Sequence, residues 1–128
     1  MRLLLDTATF LWMILNNPKL SARAREMATD PANEVFLSVV SSWEIAVKHS
    51  LGRLPLPEAP GKFITFHRRA HGIQSLPLEE ESAFYVTHLP RIHADPFDRM
   101  LICQAIVHGL TLLTSDDLIA QYPVRVLW

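Results

Sequence analysis

The chain of 128 residues has one cysteine, no long apolar run and almost no net charge. Cys103 alone permits neither an internal disulfide nor a cysteine-based zinc site, in keeping with a reducing compartment. No stretch approaches the roughly 18–20 apolar residues that cross a bilayer. The opening Met1-Arg2-Leu3-Leu4-Leu5-Asp6 meets an acid too early for a secretory apolar region, so a cytoplasmic protein with no membrane partner is expected. Twelve Lys and Arg against thirteen Asp and Glu leave a net charge of -1, which excludes a strongly basic nucleic-acid binder. It does not exclude an enzyme that meets nucleic acid through bound cations. The six histidines, His49, His67, His71, His88, His93 and His108, show no zinc-ligand spacing, and surface or cap roles are expected for them.

With 49% apolar residues and a mean hydropathy of +0.15, the chain can build a real core, and its length suits a single domain over residues 1–128. The Pro-rich stretch Leu54 to Gly61 reads as one surface loop rather than a linker.

Short apolar runs alternate with helical patterns. Arg2 to Leu5 reads as a strand, followed by a helix carrying Phe10, Leu11, Ile14 and Leu15 and stopped by Asn16-Asn17-Pro18. A second helix spans Ser21 to Ala28. Val35 to Val40 reads as a buried strand, and Ser41 opens the next helix. Gly61 to Ala70 is expected to be helical, Ile73 to Leu76 a brief strand, and Glu79-Glu80-Glu81 the start of another helix. Asp95 caps the best-marked helix, with Pro96 at its first position and Gly109 at its end. Leu110 to Thr114 is a strand, and a short helix from Asp116 and a strand at Val124-Arg125-Val126 close the chain. Strands without polar alternation, separated by helices, indicate a three-layer α/β/α domain with a central, mainly parallel sheet of four to five strands.

Functional residues of such sheets stand at the carboxyl ends of the strands. There the sequence places acids: Asp6 after the first strand, Glu44 and Asp98 in the first turns of two helices, and Asp116 with Asp117 after Leu110 to Thr114. Like charges gathered at one edge disfavour one another's ionisation unless a cation bridges them. Oxygen ligands of this kind select Mg²⁺ or Mn²⁺, and two such ions about 4 Å apart suit in-line phosphodiester hydrolysis. Each acid also has a structural reading. Ser41-Ser42-Trp43-Glu44 fits a capping box, Asp98 a helix-start carboxylate, and Asp116 or Asp117 a cap with an exposed neighbour. Asp6 has the least room for one, because an unpaired carboxylate beside a buried strand is costly.

Read in order, Leu4-Leu5-Asp6-Thr7, Ser41-Ser42-Trp43-Glu44-Ile45-Ala46-Val47-Lys48, Asp95-Pro96-Phe97-Asp98-Arg99-Met100-Leu101-Ile102 and Leu113-Thr114-Ser115-Asp116 resemble the PIN-domain ribonucleases, and among them the VapC-type toxins. The likeness runs from Leu3 to about Tyr122. It implies a metal-dependent endoribonuclease with Asp6, Glu44, Asp98 and Asp116 as catalytic acids, of which Asp6, Asp98 and Asp116 bind Mg²⁺ or Mn²⁺. It further implies a homodimer, RNA as substrate, products with 5′-phosphate and 3′-hydroxyl ends, and silencing by a VapB-type antitoxin. Thr7 and Thr114 match small polar positions that orient water at the metal. Helix N-termini would favour ionised Glu44 and Asp98.

Rival folds fail on named residues. A haloacid-dehalogenase phosphatase needs a second Asp where Ala8 stands, and a dinucleotide-binding domain needs a Gly-rich turn after the first strand, far from Gly52, Gly61, Gly72 and Gly109. A non-catalytic RNA- or protein-binding scaffold and a solitary RNA-processing nuclease remain as alternatives. The basic stretch Lys62 to His71 reads either as a solvated helix face or as a contact to RNA phosphates, and Arg99 either as an ion-pair partner of Asp98 or as a phosphate contact. Cys103 is expected to be a buried, inert thiol, and Trp12 and Trp43 core or interface aromatics.

Overall fold

The run Leu3-Leu4-Leu5 has no polar alternation because both of its faces are covered. In the computed structural model, which describes all 128 residues, it belongs to β1 (Arg2–Leu5), and the three leucines are fully buried. Successive side chains of a strand point to opposite faces. Leu3 and Leu5 accordingly pack with Phe10, Met13, Ile45 and Phe63 on one side, whereas Leu4 packs with Leu101, Ile102 and Leu112 on the other. Each such leucine contributes about 1.5–3 kcal/mol relative to exposure.

The chain continues through α1 (Thr7–Ile14) and α2 (Ala22–Thr29) to β2 (Glu34–Ser38), then α3 (Val39–Ser50), α4 (Pro60–Ala70) and β3 (Gln74–Leu76). After α5 (Glu80–Tyr85) and a 3₁₀ turn, α6 (Pro96–His108) leads to β4 (Thr111–Leu113), a second 3₁₀ turn and β5 (Val126–Leu127). All four strand pairings are parallel and the sheet order is β3-β2-β1-β4-β5. The chain thus builds outward from β1 to β3 on one side and then crosses back to place β4 on the other. The reversal lies between β1 and β4, where open parallel sheets leave a crevice at their carboxyl edge.

Three sequence expectations shift in register. The strand expected over Val35 to Val40 ends at Ser38, and α3 begins at Val39 rather than Ser41. Ser38 is the N-cap, its hydroxyl accepting from Val40 N at 3.0 Å, so a cap outweighs the β preference of the two valines. No helix starts at Asp116: its Oδ1 accepts from Leu118 N at 2.9 Å in a turn, and only Ile119–Gln121 coil into 3₁₀. The closing strand is Val126–Leu127 rather than Val124 to Val126, set by pairing with Leu112 and Leu113. The expected signals at α6 hold: the Asp95 carboxylate accepts from Phe97 N and Asp98 N, and Gly109 ends the helix at φ 67°, a left-handed conformation costly for a side chain with a Cβ.

Candidate active site

The residue after β1 is the first acid of the crevice. Asp6 is 7% exposed and caps α1, its Oδ1 accepting from Thr9 N at 2.8 Å and its Oδ2 from the Thr114 hydroxyl at 2.5 Å. Burial pushes its pKa up, the Thr114 and Thr9 hydrogen bonds oppose that shift, and the negative charge of Asp116 adds to it. Thr9 also donates to Leu113 O at 2.9 Å, fastening α1 to β4 at the crossover point.

Glu44 reaches the same place from α3 and is 5% exposed. Because α3 begins at Val39, Glu44 lies in the second turn. It makes no capping box, and the favourable field of a helix start, expected to favour its ionised form, does not apply. Instead Oε1 accepts from the Thr7 hydroxyl at 2.7 Å, with Ser41 Oγ a further 2.9 Å from that hydroxyl, and Oε2 meets Lys48 Nζ at 2.5 Å. Lys48 was not singled out from sequence, although its i, i+4 offset from Glu44 is the spacing at which such pairs form.

Asp98 stands in the first turn of α6, as expected, but its charge is disfavoured there. Its pKa rises from 3.8 to about 6, chiefly through burial and then through the charge of Asp95, with Glu44 and Asp116 adding and a hydrogen bond from His93 opposing. Desolvation and like charge therefore outweigh the helix N-terminus. His93, expected at the surface, is half-buried: its Nε2 lies 3.3 Å from Asp98 Oδ2 and its Nδ1 lies 2.8 Å from the Tyr122 hydroxyl. Arg99 does not pair with Asp98. It donates to Pro90 O and to the Tyr122 hydroxyl, at 2.9 and 3.1 Å.

Asp116 follows β4, with its backbone N–H donating to the Thr114 hydroxyl at 3.1 Å. Asp6, Glu44, Asp98 and Asp116 line one cleft of about 380 Å³, joined by Asp95, Lys48 and Trp12, while Asp117 stays outside it. Asp95 thus both caps α6 and adds charge to the cleft. Thr7 and Thr114 hold the carboxylates of Glu44 and Asp6. No three acids are drawn into a ready-made coordination cluster. Each carboxylate is held by a partner of its own. The donors are nonetheless all hard oxygens, and their mutual repulsion is what a divalent cation relieves.

Elsewhere, Cys103 is fully buried with its thiol pKa raised by burial, in line with an inert role. Trp12 packs edge-on against Trp128 at 5.9 Å, and the 59% exposed Trp43 packs edge-on against Phe97 at 4.9 Å. No helix is long and apolar enough to cross a membrane.

The sequence matches the PIN domain family over residues 3–124. Ribonuclease VapC16 of Mycobacterium tuberculosis is 34% identical over 67 residues; that match spans about half of both proteins, 49% of this chain and 48% of the relative. The fold is shared with VapBC2 from Rickettsia felis, solved with a promoter DNA fragment, at a TM-score of 0.74 and 15% identity over 99% of this chain and 98% of that one. VapBC-1 from nontypeable Haemophilus influenzae aligns at a TM-score of 0.65 and 16% identity, covering 99% and 97% of the two chains. FitAcB from Neisseria gonorrhoeae gives 0.64 and 21%, covering 98% and 96%. Five parallel strands between helical layers, acids converging at the β1–β4 crevice and a family match across nearly the whole chain lead to one conclusion: the chain belongs to the PIN-domain family.

Proposed function

We propose that the chain, as one PIN domain over residues 1–128, is a metal-dependent endoribonuclease of the VapC type. In this reading Asp6, Glu44, Asp98 and Asp116 form the catalytic set, and Asp6, Asp98 and Asp116 hold Mg²⁺ or Mn²⁺. The observation that carries it is the convergence of acids from four separate segments on one cleft, with Asp6 and Asp98 both left at raised pKa by burial and like charge. Acids so placed resist ionisation unless positive charge joins them.

A divalent cation bound there supplies polarisation of the phosphodiester and activation of the attacking water. The chain's own residues do the rest. Thr9 and Thr114 fix the Asp6 carboxylate on a rigid strand end, and the turn after β4 presents Asp116 beside it. The charge of Glu44 is already matched by the Lys48 ammonium, which suits it to hold Lys48 at the cleft rather than to bind the cation. The Lys48 side chain is 47% exposed, so its ammonium can face an RNA phosphate. Products with 5′-phosphate and 3′-hydroxyl ends follow the family pattern.

The relatives named VapBC support a VapB-type antitoxin as partner; a homodimer as the working assembly and the cytoplasm as its location follow the family pattern. An arginine from the antitoxin would meet the same uncompensated acids. Antitoxin-free protein incubated with total cellular RNA in Mg²⁺ or Mn²⁺ should release discrete fragments that vanish with EDTA and in Asp98→Asn. Absence of cleavage by folded, metal-bound protein would favour a binding scaffold.

A further inference from the structure

The Tyr122 hydroxyl is an acceptor for two N–H groups, the backbone amide of His93 at 3.1 Å and Arg99 Nη1 at 3.1 Å. A phenol oxygen has two lone pairs and one hydrogen, so these two donors use its accepting capacity. Its hydrogen then has two places to go: His93 Nδ1 at 2.8 Å or His93 O at 3.4 Å. The shorter contact is the better hydrogen bond. Nδ1 is therefore an acceptor and bears no hydrogen, since a third donor would find no lone pair on Tyr122. The ring carries its hydrogen on Nε2, which faces Asp98 Oδ2 at 3.3 Å.

We infer that Tyr122 and Arg99 lock His93 in the Nε2–H tautomer and that His93, as a positioning residue, aims the Asp98 carboxylate into the cleft. The role at Asp98 rests on the metal-dependent reading above, whereas the tautomer does not. The surroundings suit a fixed element. The His93 and Asp98 side chains are 12% and 20% exposed, the Tyr122 ring is 3% exposed and stacks edge-on on the imidazole at 5.4 Å, and Arg99 is anchored a second time on Pro90 O. A donor behind a metal-binding carboxylate restricts its rotation and lowers the cost of presenting it. No other side chain hydrogen-bonds the Asp98 carboxylate. The residues come from three places, the segment before α6, the first turn of α6 and the segment before β5, so no local motif announces them.

Two measurements on the full chain decide the matter. In ¹⁵N-labelled protein at pH 7.5 with EDTA, long-range ¹H–¹⁵N correlations should show one imidazole, absent in His93→Gln, locked as Nε2–H. Tyr122→Phe should return it to tautomer averaging. An Nδ1–H form, or averaging in the parent, would overturn the lock. In Mn²⁺ titrations, His93→Ala should weaken binding about 10–100-fold, while His93→Gln, which restores an N–H at the Nε2 position, should stay within about threefold of the parent. Equal Mn²⁺ affinity in His93→Ala and parent would overturn the positioning role alone. A parent that binds no Mn²⁺ would overturn the metal-dependent reading and that role together, leaving the tautomer lock to stand or fall on the NMR result.

Discussion

The two halves of the acidic cleft are built on opposite principles. On the β1–α3 side, Asp6 accepts two hydrogen bonds and Glu44 is matched by Thr7 and Lys48. On the α6–β4 side, Asp98 faces Asp95, Glu44 and Asp116 with only the His93 imidazole against them. The first half is largely satisfied by the protein itself; the second stores repulsion that an arriving cation relieves. Glu44 is thus matched within the protein and Asp98 awaits a cation, while Asp6, hydrogen-bonded yet with its pKa raised by burial, shares in both.

Removing the strained acid should separate these properties most sharply. Asp98→Asn is expected to lower RNA cleavage by at least about 100-fold, beyond the usual effect of losing a group behind a metal ligand. The same change should stabilise metal-free protein at neutral pH. A carboxyl whose folded pKa is raised from 3.8 to about 6 gives a stability contribution that is complete below its unfolded value and lost as pH rises through about 6. In EDTA, the melting temperature of the parent should therefore fall relative to Asp98→Asn between pH 4 and 7, as thermal melts at several pH values would show.

The satisfied half should respond in the opposite sense. Thr7→Val keeps the shape and removes the donor to buried Glu44, which should cost about 1–3 kcal/mol and lower the melting temperature in both EDTA and Mg²⁺. Lys48→Met should cost less, about 1 kcal/mol or below, because the lysine is 47% exposed and solvent already screens the pair. Cleavage should fall more than stability in that variant, since the ammonium facing the phosphate is lost. Arg69→Ala should be the mildest change, within about 0.5 kcal/mol in denaturant melts, because this exposed α4 residue makes no ion pair. A large loss of RNA cleavage in that variant would instead assign the basic stretch to substrate.

The sheet was readable in the sequence because Leu3-Leu4-Leu5 and Leu110 to Thr114 are short, two-sided apolar runs bounded by acids and turns. Three of the four acids were readable for a related reason: Asp6 and Asp116 follow strands and Asp98 opens a helix, and parallel topology brings those positions to one edge, whereas Glu44 reaches it from the second turn of α3. The start of α3 was not, because Ser38 and Ser41 are equally good caps and only the length of strand pairing chooses between them. That three-residue shift turns Glu44 from a capping residue into a buried partner of Thr7 and Lys48. The state of Asp98 was also hidden. A helix start favours charge, and the burial and neighbouring acids that outweigh it come from distant segments. His93 escaped notice because its partner Tyr122 is 29 residues away.

The most direct test of the strained half is calorimetric titration of Mn²⁺ into metal-free protein in buffers of different ionisation enthalpy, at pH 6 and pH 8. With the Asp98 pKa at about 6, binding should release about half a proton more at pH 6 than at pH 8. Asp98→Asn should abolish most of the difference and weaken binding. Proton release that is the same at both pH values, or Mn²⁺ binding that Asp98→Asn leaves unchanged, would contradict the account.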